Sequence, residues 1–309
     1  MVRVIAKVFA VTVALTALLF GTPLRAAPFT WVSSTGTSSG PCAIAQPCPN
    51  LFDALGSTDA GGQVSCLNSP GIDEGSIFLN NSATIDCLGV HTGFGGDPQI
   101  TLAATGQVFK IRNLTFTGTG GGTPTAIKVT GSGTLILENC VFENFSGTAL
   151  DIEPNGPFNL VITNSRMSNS GSGVLIKPAA GGAVTATFDG VTIAENSGGG
   201  IKTDTTNGAI NLAISNSTIT KNGGNGLNAI GGAGGQNMLE LIHDVIASNS
   251  VAGVQANGTN AAVLVSNTSI LNNLTGATSV VAGGRVVTYG NNSIVGSSGS
   301  GFTGTASLQ

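Results

Sequence analysis

The chain has 309 residues, of which 41% are hydrophobic and only 8% are charged, and its formal net charge is −4. Lysine and arginine are too few to form the basic patches that bind nucleic acids or anionic membrane surfaces, so the composition argues against both partners. Glycine is abundant, but valine, isoleucine and leucine recur too regularly for a disordered chain.

Residues 1–26 are expected to be a signal peptide. Arg3 and Lys7 precede an apolar run over residues 8–20, and Ala26 is a small residue at the expected cleavage site before Ala27. The run is too short for a membrane-spanning helix, so we expect cleavage and no membrane insertion; the alternative is an N-terminal anchor. The mature chain would be secreted or periplasmic, with eight basic and fifteen acidic residues and a net charge of −7.

Five cysteines in an exported protein favour disulfides over a metal site. Cys42 and Cys48 lie close enough in the sequence to close a small loop. Cys66 and Cys87 are farther apart and could be bonded or merely stacked. Cys140 has no obvious partner and is expected in or beside the core.

Three segments follow the signal peptide. Residues 27–60 are predicted to be an N-terminal segment and cap, in which residues 49–55 form a short amphipathic helix over the open end of the core. Residues 61–295 are predicted to form the repetitive domain. Residues 296–309 form a tail rich in glycine and serine.

A sequence repeat begins near residue 109, and its length of roughly 25 residues is in the range typical of solenoid proteins. Its phrase is apolar, any, apolar, any, asparagine, with another apolar residue three places later. The asparagine position recurs at nearly even steps and is occupied by Asn113, Asn139, Asn164, Gly190, Asn216, His243 and Asn267. A second asparagine column is formed by Asn196, Asn222, Asn249 and Asn273, and a glycine column by Gly173, Gly200, Gly226 and Gly253.

Alternating residues within each repeat indicate short β-strands with one inward and one outward face. One coil cannot bury its inward face alone, so coils must stack about 4.8 Å apart. Asparagine suits the turns because it tolerates a left-handed backbone. We therefore predict an all-β, right-handed, single-stranded parallel β-helix, in which like residues lie over one another.

The sequence resembles the pectate-lyase-like β-helix superfamily, and within it exported proteobacterial β-helix repeat proteins of unassigned activity. Besides the asparagine turns, the resemblance is carried by Pro41-Cys42, Pro47-Cys48, Gly61-Gly62 and Tyr289-Gly290-Asn291-Asn292. It implies the fold for nearly all of the mature chain. It implies a function only weakly, because this fold supports many activities.

The resemblance also implies that a substrate groove, where one exists, follows the strand after the turn glycine. The outward residues of that strand form two predicted columns. The first column is Lys128, Asp151, Leu175, Lys202, Asn228 and Gln255, and the second is Thr130, Glu153, Lys177, Asp204, Ile230 and Asn257. Six of these twelve residues are charged, whereas the composition of the mature chain predicts about one.

These columns suggest a face that contacts an extracellular polysaccharide, as in a polysaccharide lyase or glycoside hydrolase. In a lyase, Lys177 or Lys202 would be the base, with a pKa lowered by its surroundings. Asp151, Glu153 and Asp204 could hold Ca²⁺. Alternatively, Glu153 and Asp204 could form an inverting pair of carboxylates. The expected substrate-binding residues are Lys128, Asn228, Gln255 and Asn257.

The alternative is a non-catalytic structural or adhesive solenoid. Opposite charges on adjacent coils, such as Lys128 with Asp151 or Lys177 between Glu153 and Asp204, stabilise a sheet without any chemistry. The open C-terminal end of such a solenoid could also seed self-association unless the tail covers it. The familiar active-site motifs of the superfamily are missing from the sequence, and no arginine falls in the two columns.

Overall fold

The computed structural model describes residues 27–38, 40–68, 76–88, 93–94, 99–119, 121, 125–296 and 301–306. The predicted signal peptide, residues 1–26, lies outside the described residues. Helix α1 (Leu51–Gly56) is six residues long, and within the described ranges there is no helix with the length and apolar character needed to cross a membrane.

In the described residues the strands form three parallel sheets. Sheet A has twelve strands: β1 (Ala27–Val32), β2 (Thr58–Cys66), β4 (Ala83–Asp86), β7 (Gln107–Arg112), β10 (Gly133–Glu138), β13 (Pro157–Thr163), β16 (Ala183–Asp189), β19 (Ala209–Ser215), β22 (Asn237–Ile242), β25 (Ala261–Ser266), β28 (Arg285–Thr288) and β30 (Gly304–Thr305). Sheet B has nine: β5 (Gly93–Phe94), β8 (Thr115–Thr117), β11 (Val141–Glu143), β14 (Arg166–Ser168), β17 (Thr192–Ala194), β20 (Thr218–Thr220), β23 (Val245–Ala247), β26 (Ser269–Leu271) and β29 (Ser293–Val295). Sheet C has nine: β3 (Ser76–Leu79), β6 (Gln99–Leu102), β9 (Ile127–Val129), β12 (Thr148–Ile152), β15 (Ser172–Ile176), β18 (Ile201–Asp204), β21 (Leu227–Ile230), β24 (Ala252–Asn257) and β27 (Gly276–Val281).

Each regular coil passes through sheets A, B and C in turn, so the predicted parallel β-helix is confirmed. Equivalent residues of successive coils are in register: Leu135 pairs with Phe109 on one side and with Leu160 on the other. All three side chains are buried. The core is therefore a continuous stack of like positions enclosed by the three sheets.

The first asparagine column forms the turn between sheets A and B. All seven members have a positive φ, between 48° and 65°, including Gly190 and His243. His243, at φ 59°, therefore replaces asparagine as a turn residue. Such a backbone is unfavourable for most side chains and least so for glycine and asparagine, which explains the composition of the column.

The second asparagine column is a buried ladder. The side chains of Asn196, Asn222, Asn249 and Asn273 are at most 1% exposed. The Nδ2 of Asn222 donates to Oδ1 of Asn249 (3.0 Å) and to the carbonyl of Ile193 (3.2 Å), while its Oδ1 accepts from the backbone and side-chain nitrogens of Asn196. Each coil thus satisfies the buried amide groups of the next one.

The glycine column provides the space for this ladder. A Cβ added at Gly226 would lie 2.7 Å from Nδ2 of Asn249 and 2.7 Å from the carbonyl oxygen of Gly253. Gly253 stands in the same relation to Asn273. The two columns are therefore one packing unit, and a side chain at the glycine position would displace the amide beside it.

The ends of the stack carry additional elements. Asn50 caps α1 by accepting a hydrogen bond from the backbone of Asp53 (2.8 Å), and the helix packs against β1 and β2. At the other end, β30 of the tail pairs with β28, and Phe302 packs against the core. Sheet A thus extends beyond residues 61–295 at both ends, and the tail covers the edge of β28.

Two disulfides join Cys42 to Cys48 and Cys66 to Cys87. The first is the predicted small loop. The second links strand β2 to the residue after β4, its neighbour in sheet A, which settles the choice between bonding and stacking. Cys140 is a buried free thiol, as expected, and burial raises its pKa to about 12.

Replacing Asn222 with alanine tests the ladder. The change leaves the backbone N–H and the side-chain amide of Asn196 without their buried acceptor, and each such group costs about 1–3 kcal/mol. We expect the free energy of unfolding, measured by urea denaturation, to fall by at least about 2 kcal/mol. Asn211→Ala, at an exposed position on sheet A, is the control and should change it by less than about 0.5 kcal/mol. Equal effects of the two substitutions would contradict the assignment.

A buried carboxyl group lies directly after the turn residue His243. Asp244 is 1% exposed, and its two oxygens accept hydrogen bonds from the backbone nitrogens of Ser217 (2.8 Å) and Ile242 (2.9 Å). Burial, with a smaller contribution from the charge of Asp189, raises the pKa of Asp244 to about 7 despite these hydrogen bonds. In the preceding coil Ser217 occupies the same position.

Asp244 should make stability depend on pH. Its pKa is higher in the folded chain than its ordinary value of 3.8, so its contribution is complete below about pH 4 and is lost as the pH rises to about 7. Asp244→Ser restores the residue of the preceding coil. Between pH 4 and pH 8 the natural chain should lose up to about 4 kcal/mol of unfolding free energy that this variant does not lose. Parallel pH profiles of the two proteins, measured by thermal unfolding, would refute this.

Candidate functional site

The outward face of sheet C carries the two predicted columns. The strand register places every member of the first column beside the next one, as the repeat predicted. The column is longer than predicted, because Phe78 and Thr101 precede Lys128 and Ser279 follows Gln255. The sequence repeat did not predict Phe78 and Thr101 as members of the column, because strands β3 and β6 precede its first regular coil. Phe78 is 61% exposed.

The second column follows the same register. Asp204, Ile230 and Asn257 are paired within strands β18, β21 and β24. Glu153 and Lys177 lie just past the ends of β12 and β15, where their backbone nitrogens donate to the carbonyls of the preceding coil at 2.9 Å in each case. The candidate residues therefore share one face, with about 4.8 Å between successive coils.

Lys128, Asp151 and Glu153, here called the Lys128 group, form an ion-paired cluster. Nζ of Lys128 lies 3.1 Å from Oδ2 of Asp151 and 3.4 Å from Oε2 of Glu153. The hydrogen bond to Asp151 is the main reason that the pKa of Lys128 is raised. Burial, together with the charge of Glu153, raises the pKa of Asp151 despite its bond to Lys128. Lys128 is thus paired with two carboxylates, as the structural interpretation of the columns expects, and with both carboxyl groups ionised the group keeps one net negative charge.

Lys177 and Lys202 differ from Lys128. Within the described residues, neither ammonium group lies within 4.0 Å of a carboxylate, so the expected ion pairs of Lys177 with Glu153 and Asp204 are not formed. Lys202 is exposed and Lys177 is half-buried. The face therefore carries two cations that are not neutralised by direct contact.

Asp204 is 8% exposed, and its Oδ1 accepts hydrogen bonds from the backbone nitrogen (2.9 Å) and the hydroxyl (2.5 Å) of Thr206. Burial raises its pKa, but these hydrogen bonds and the charges of Lys177 and Lys202 outweigh burial, so the pKa lies below its ordinary value. Asp204 is thus held ionised. It is suited to accept a proton or balance a cation, and is not suited to be the acid of an inverting pair.

The amide residues of the face also differ from one another. Gln255 is engaged at both ends: its Oε1 accepts from Asn225 (3.1 Å) and its Nε2 donates to Ser279 (3.2 Å). Asn228 has a buried Oδ1 with no hydrogen-bond partner. Asn257 is half-buried at the far end of the second column. Among the described residues the Oδ1 of Asn228 is therefore unpaired, but it is enclosed by the protein and is not open to a ligand.

The three acidic residues proposed for Ca²⁺ do not form a metal centre. Oxygens of Asp151 and Glu153 contact Lys128, and Oδ1 of Asp204 contacts Thr206. In the ranges that the structure describes, no group of three or more carboxylate, histidine or cysteine side chains could hold a metal ion. The three carboxylates are therefore not gathered into one set of ligands in the described residues.

A cleft of about 200 Å³ lies beside the first column, next to Lys202 and Asn228. The turns at Gly199 and Gly224 form part of its lining. Asn225 lines it too, and its Oδ1 accepts a hydrogen bond from the backbone of Ala252 at 3.0 Å. No pattern in the sequence indicates this cleft.

A family model for the right-handed β-helix region matches residues 99–270, more than half of the chain. The chain belongs to the right-handed β-helix family. This β-helix protein is similar to the crystal structure of pectate lyase Pel9A, with a TM-score of 0.52 and 16% identity over 91% of this chain and 78% of that one. It also aligns with a rhamnogalacturonan lyase, with a TM-score of 0.45 and 14% identity over 91% of this chain and 85% of the other. No curated protein sequence matches it. At these identities the structural likeness shows the fold.

The Lys128 group should contribute to stability through charge pairing. A double-mutant cycle of Lys128→Met and Asp151→Asn should give a coupling energy of about 0.2–1 kcal/mol, because both side chains are partly solvated. Lys128→Met alone should cost more at pH 7 than at pH 3.5, since it leaves two ionised carboxylates side by side. Lys202→Met, which removes the same charge without an ion pair, is the matched control. If Lys202→Met is equally costly in urea denaturation, the pairing is not what stabilises this region.

Proposed function

We propose that this β-helix protein acts outside the cytoplasm and binds an acidic polysaccharide along the outward face of sheet C. The observation that carries the proposal is a pair of cations, Lys177 and Lys202, that no carboxylate of the described residues contacts and that lie on a face continuous over nine strands. Anionic groups of a ligand would supply the missing partners. The two disulfides fit an oxidising compartment, and residues 1–26 fit an export signal.

The structure of the face supports an extended ligand. Successive positions recur about every 4.8 Å along the first column, from Phe78 to Ser279. Exposed Phe78 offers an aromatic surface at one end, and the half-buried side chain of Asn228 lies near the other. A chain molecule lying along the stack would meet each of these groups in turn, with Lys177 and Lys202 between them.

The similar solved structure of a pectate lyase supports this class of ligand by analogy. Any lyase activity would need Lys177 or Lys202 as the base, as the sequence suggests. Any hydrolysis would use Asp204 as the base, since Thr206 holds it ionised. Binding to the face does not require either reaction, and the two can be measured separately.

The test is retention on polygalacturonate and alginate in affinity electrophoresis, with a neutral glucan for comparison. We expect selective retention on the two acidic polymers, weakened by salt because the contact is between charges. Lys177→Met/Lys202→Met should weaken retention at least about tenfold, which is the loss of about 1.4 kcal/mol of binding energy. Lys110→Met/Lys221→Met removes the same charge from positions outside sheet C and should leave retention unchanged.

Two results would overturn the proposal. One is the absence of retention on either acidic polymer, which would leave the structural or adhesive solenoid as the better explanation. The other is equal retention of both double variants, which would place binding on another surface. Unsaturated or reducing ends that appear in the same samples and are lost in Asp204→Asn would extend binding to catalysis.

A further inference from the structure

The outward face of sheet A is nearly free of charge along its middle strands. Strands β7 to β22 pair in unbroken register, so their outward residues form straight columns. On the four strands between β7 and β22, the outward side chains are aliphatic, proline, threonine, serine and asparagine, apart from Glu138 and Asp189. Glu138 is paired with Lys110 (2.9 Å), and Asp189 accepts hydrogen bonds from Ser215 and Asn216. The buried centre of protein interfaces is depleted of charge in the same way.

The two strands that border this stretch carry opposite charges. The column that passes through Val161 holds Lys110 on β7 and Glu240 on β22. Among the described residues, no lysine, arginine or histidine nitrogen lies within 4.0 Å of the Glu240 carboxylate. Two places before these charges stand Val108 and Met238, which are 48% and 39% exposed. Both borders therefore carry an exposed apolar side chain next to a charged one.

The two borders are placed symmetrically about the centre of sheet A. In the order of its twelve strands, β7 is fourth from one end and β22 is fourth from the other, and the centre lies between β13 and β16. A two-fold axis along the strand direction at this centre would place sheet A of a second copy face to face with sheet A of the first. Strand β7 of each copy would then lie opposite β22 of the other. In that arrangement Lys110 faces Glu240, and Val108 faces Met238.

The remaining charged residues of the face also avoid one another in this arrangement. No like charges face each other, and the facing pairs of the next column are Arg112 with Ile242, Glu138 with Ser215, and Thr163 with Asp189. Beside the axis, Val161 faces Thr187. Opposed like charges are costly at an interface, so this axis gives a face that is complementary to itself.

The face is large enough for a stable contact between two copies. The eight strands from β4 to β25 span about 38 Å at the usual strand spacing, and five residues of each strand give a width of about 17 Å. The contact would cover about 650 Å² on each copy and about 1,300 Å² in total, whereas specific interfaces bury about 1,200–2,000 Å². Sheets packed face to face lie about 10 Å apart, which a lysine and a glutamate side chain can bridge.

We propose that this β-helix protein forms a two-fold dimer through the outward faces of sheet A, with Glu240 of each copy bound to Lys110 of the other. An ammonium group has three hydrogen-bond donors, so Lys110 can bind Glu240 and keep its bond to Glu138. The inference is independent of the proposed function, because sheet C lies outside the contact. A dimer of this kind would carry two polysaccharide-binding faces.

Sedimentation equilibrium of the expected mature chain, residues 27–309, tests the dimer. We expect an equilibrium between monomer and dimer, because a two-fold contact closes on itself and adds no third copy. Val161→Arg brings two like charges together beside the axis and should raise the dissociation constant at least about tenfold. Leu175→Arg adds the same charge at a half-buried outward position on sheet C. It is the matched control and should leave the dissociation constant unchanged.

An exchange of charges tests the pairing of Lys110 with Glu240. Lys110→Glu and Glu240→Lys should each weaken the dimer at least about tenfold, because like charges then face each other at two places. An equimolar mixture of the two variants should dimerise nearly as well as the natural chain, because every facing pair is again of opposite sign. Glu240→Lys breaks no ion pair within the described chain, so its thermal midpoint should stay close to the natural value.

Four results would overturn the inference. The chain could be monomeric at all concentrations, which would leave the face to a different partner, or it could form species larger than a dimer. Val161→Arg could dimerise normally, or the mixture of the two charge variants could stay monomeric. Retention on acidic polymers, measured at protein concentrations where the chain is monomeric, does not depend on any of these results.

Discussion

The structure depends on the satisfaction of buried backbone and amide groups between one coil and the next. A single coil has no partner for its strand edges, and its inward face remains in water until a second coil covers it. The asparagine ladder shows the constraint most clearly. Asn196, Asn222 and Asn249 each bond to the coil on either side, and Gly226 has no side chain because Asn249 occupies that space. Repetition of sequence is therefore a direct consequence of repetition of contacts.

This dependence explains how much of the fold the sequence could predict. A residue that must pack against or hydrogen-bond to its equivalent in the next coil can be of only a few types. The ladder and the turns at Asn139 and Asn164 are therefore visible as a regular period in the sequence. Even the exception His243 could be assigned correctly, because its place in the column is fixed. The first coils were harder to predict. The coils that contain β3 and β6 lack the asparagine turn, so the period did not reveal Phe78 and Thr101 as outward residues.

The candidate site was predictable in position and much less so in contacts. The period fixes which side chains share a face, and this was enough to align Lys128, Asp151 and Lys202. It does not determine which of several nearby groups a long side chain reaches. Lys128 contacts two carboxylates, whereas Lys177 contacts neither of the two expected for it. The same limit applies to the three acidic residues considered for calcium, because oxygens of Asp151 and Glu153 contact Lys128 and an oxygen of Asp204 contacts Thr206.

The bond between Cys66 and Cys87 has a mechanical consequence for the whole rod. In a stack where each coil touches only its neighbours, separation starts where a terminal coil detaches, and the rest follows one coil at a time. The covalent link joins the first coils to each other. At the opposite extremity the described residues contain no disulfide, and the end is closed by the short strand β30 and by Phe302, which packs against the core. Under oxidising conditions the rod should therefore open from its carboxyl end, whereas reduction would allow it to peel from both directions.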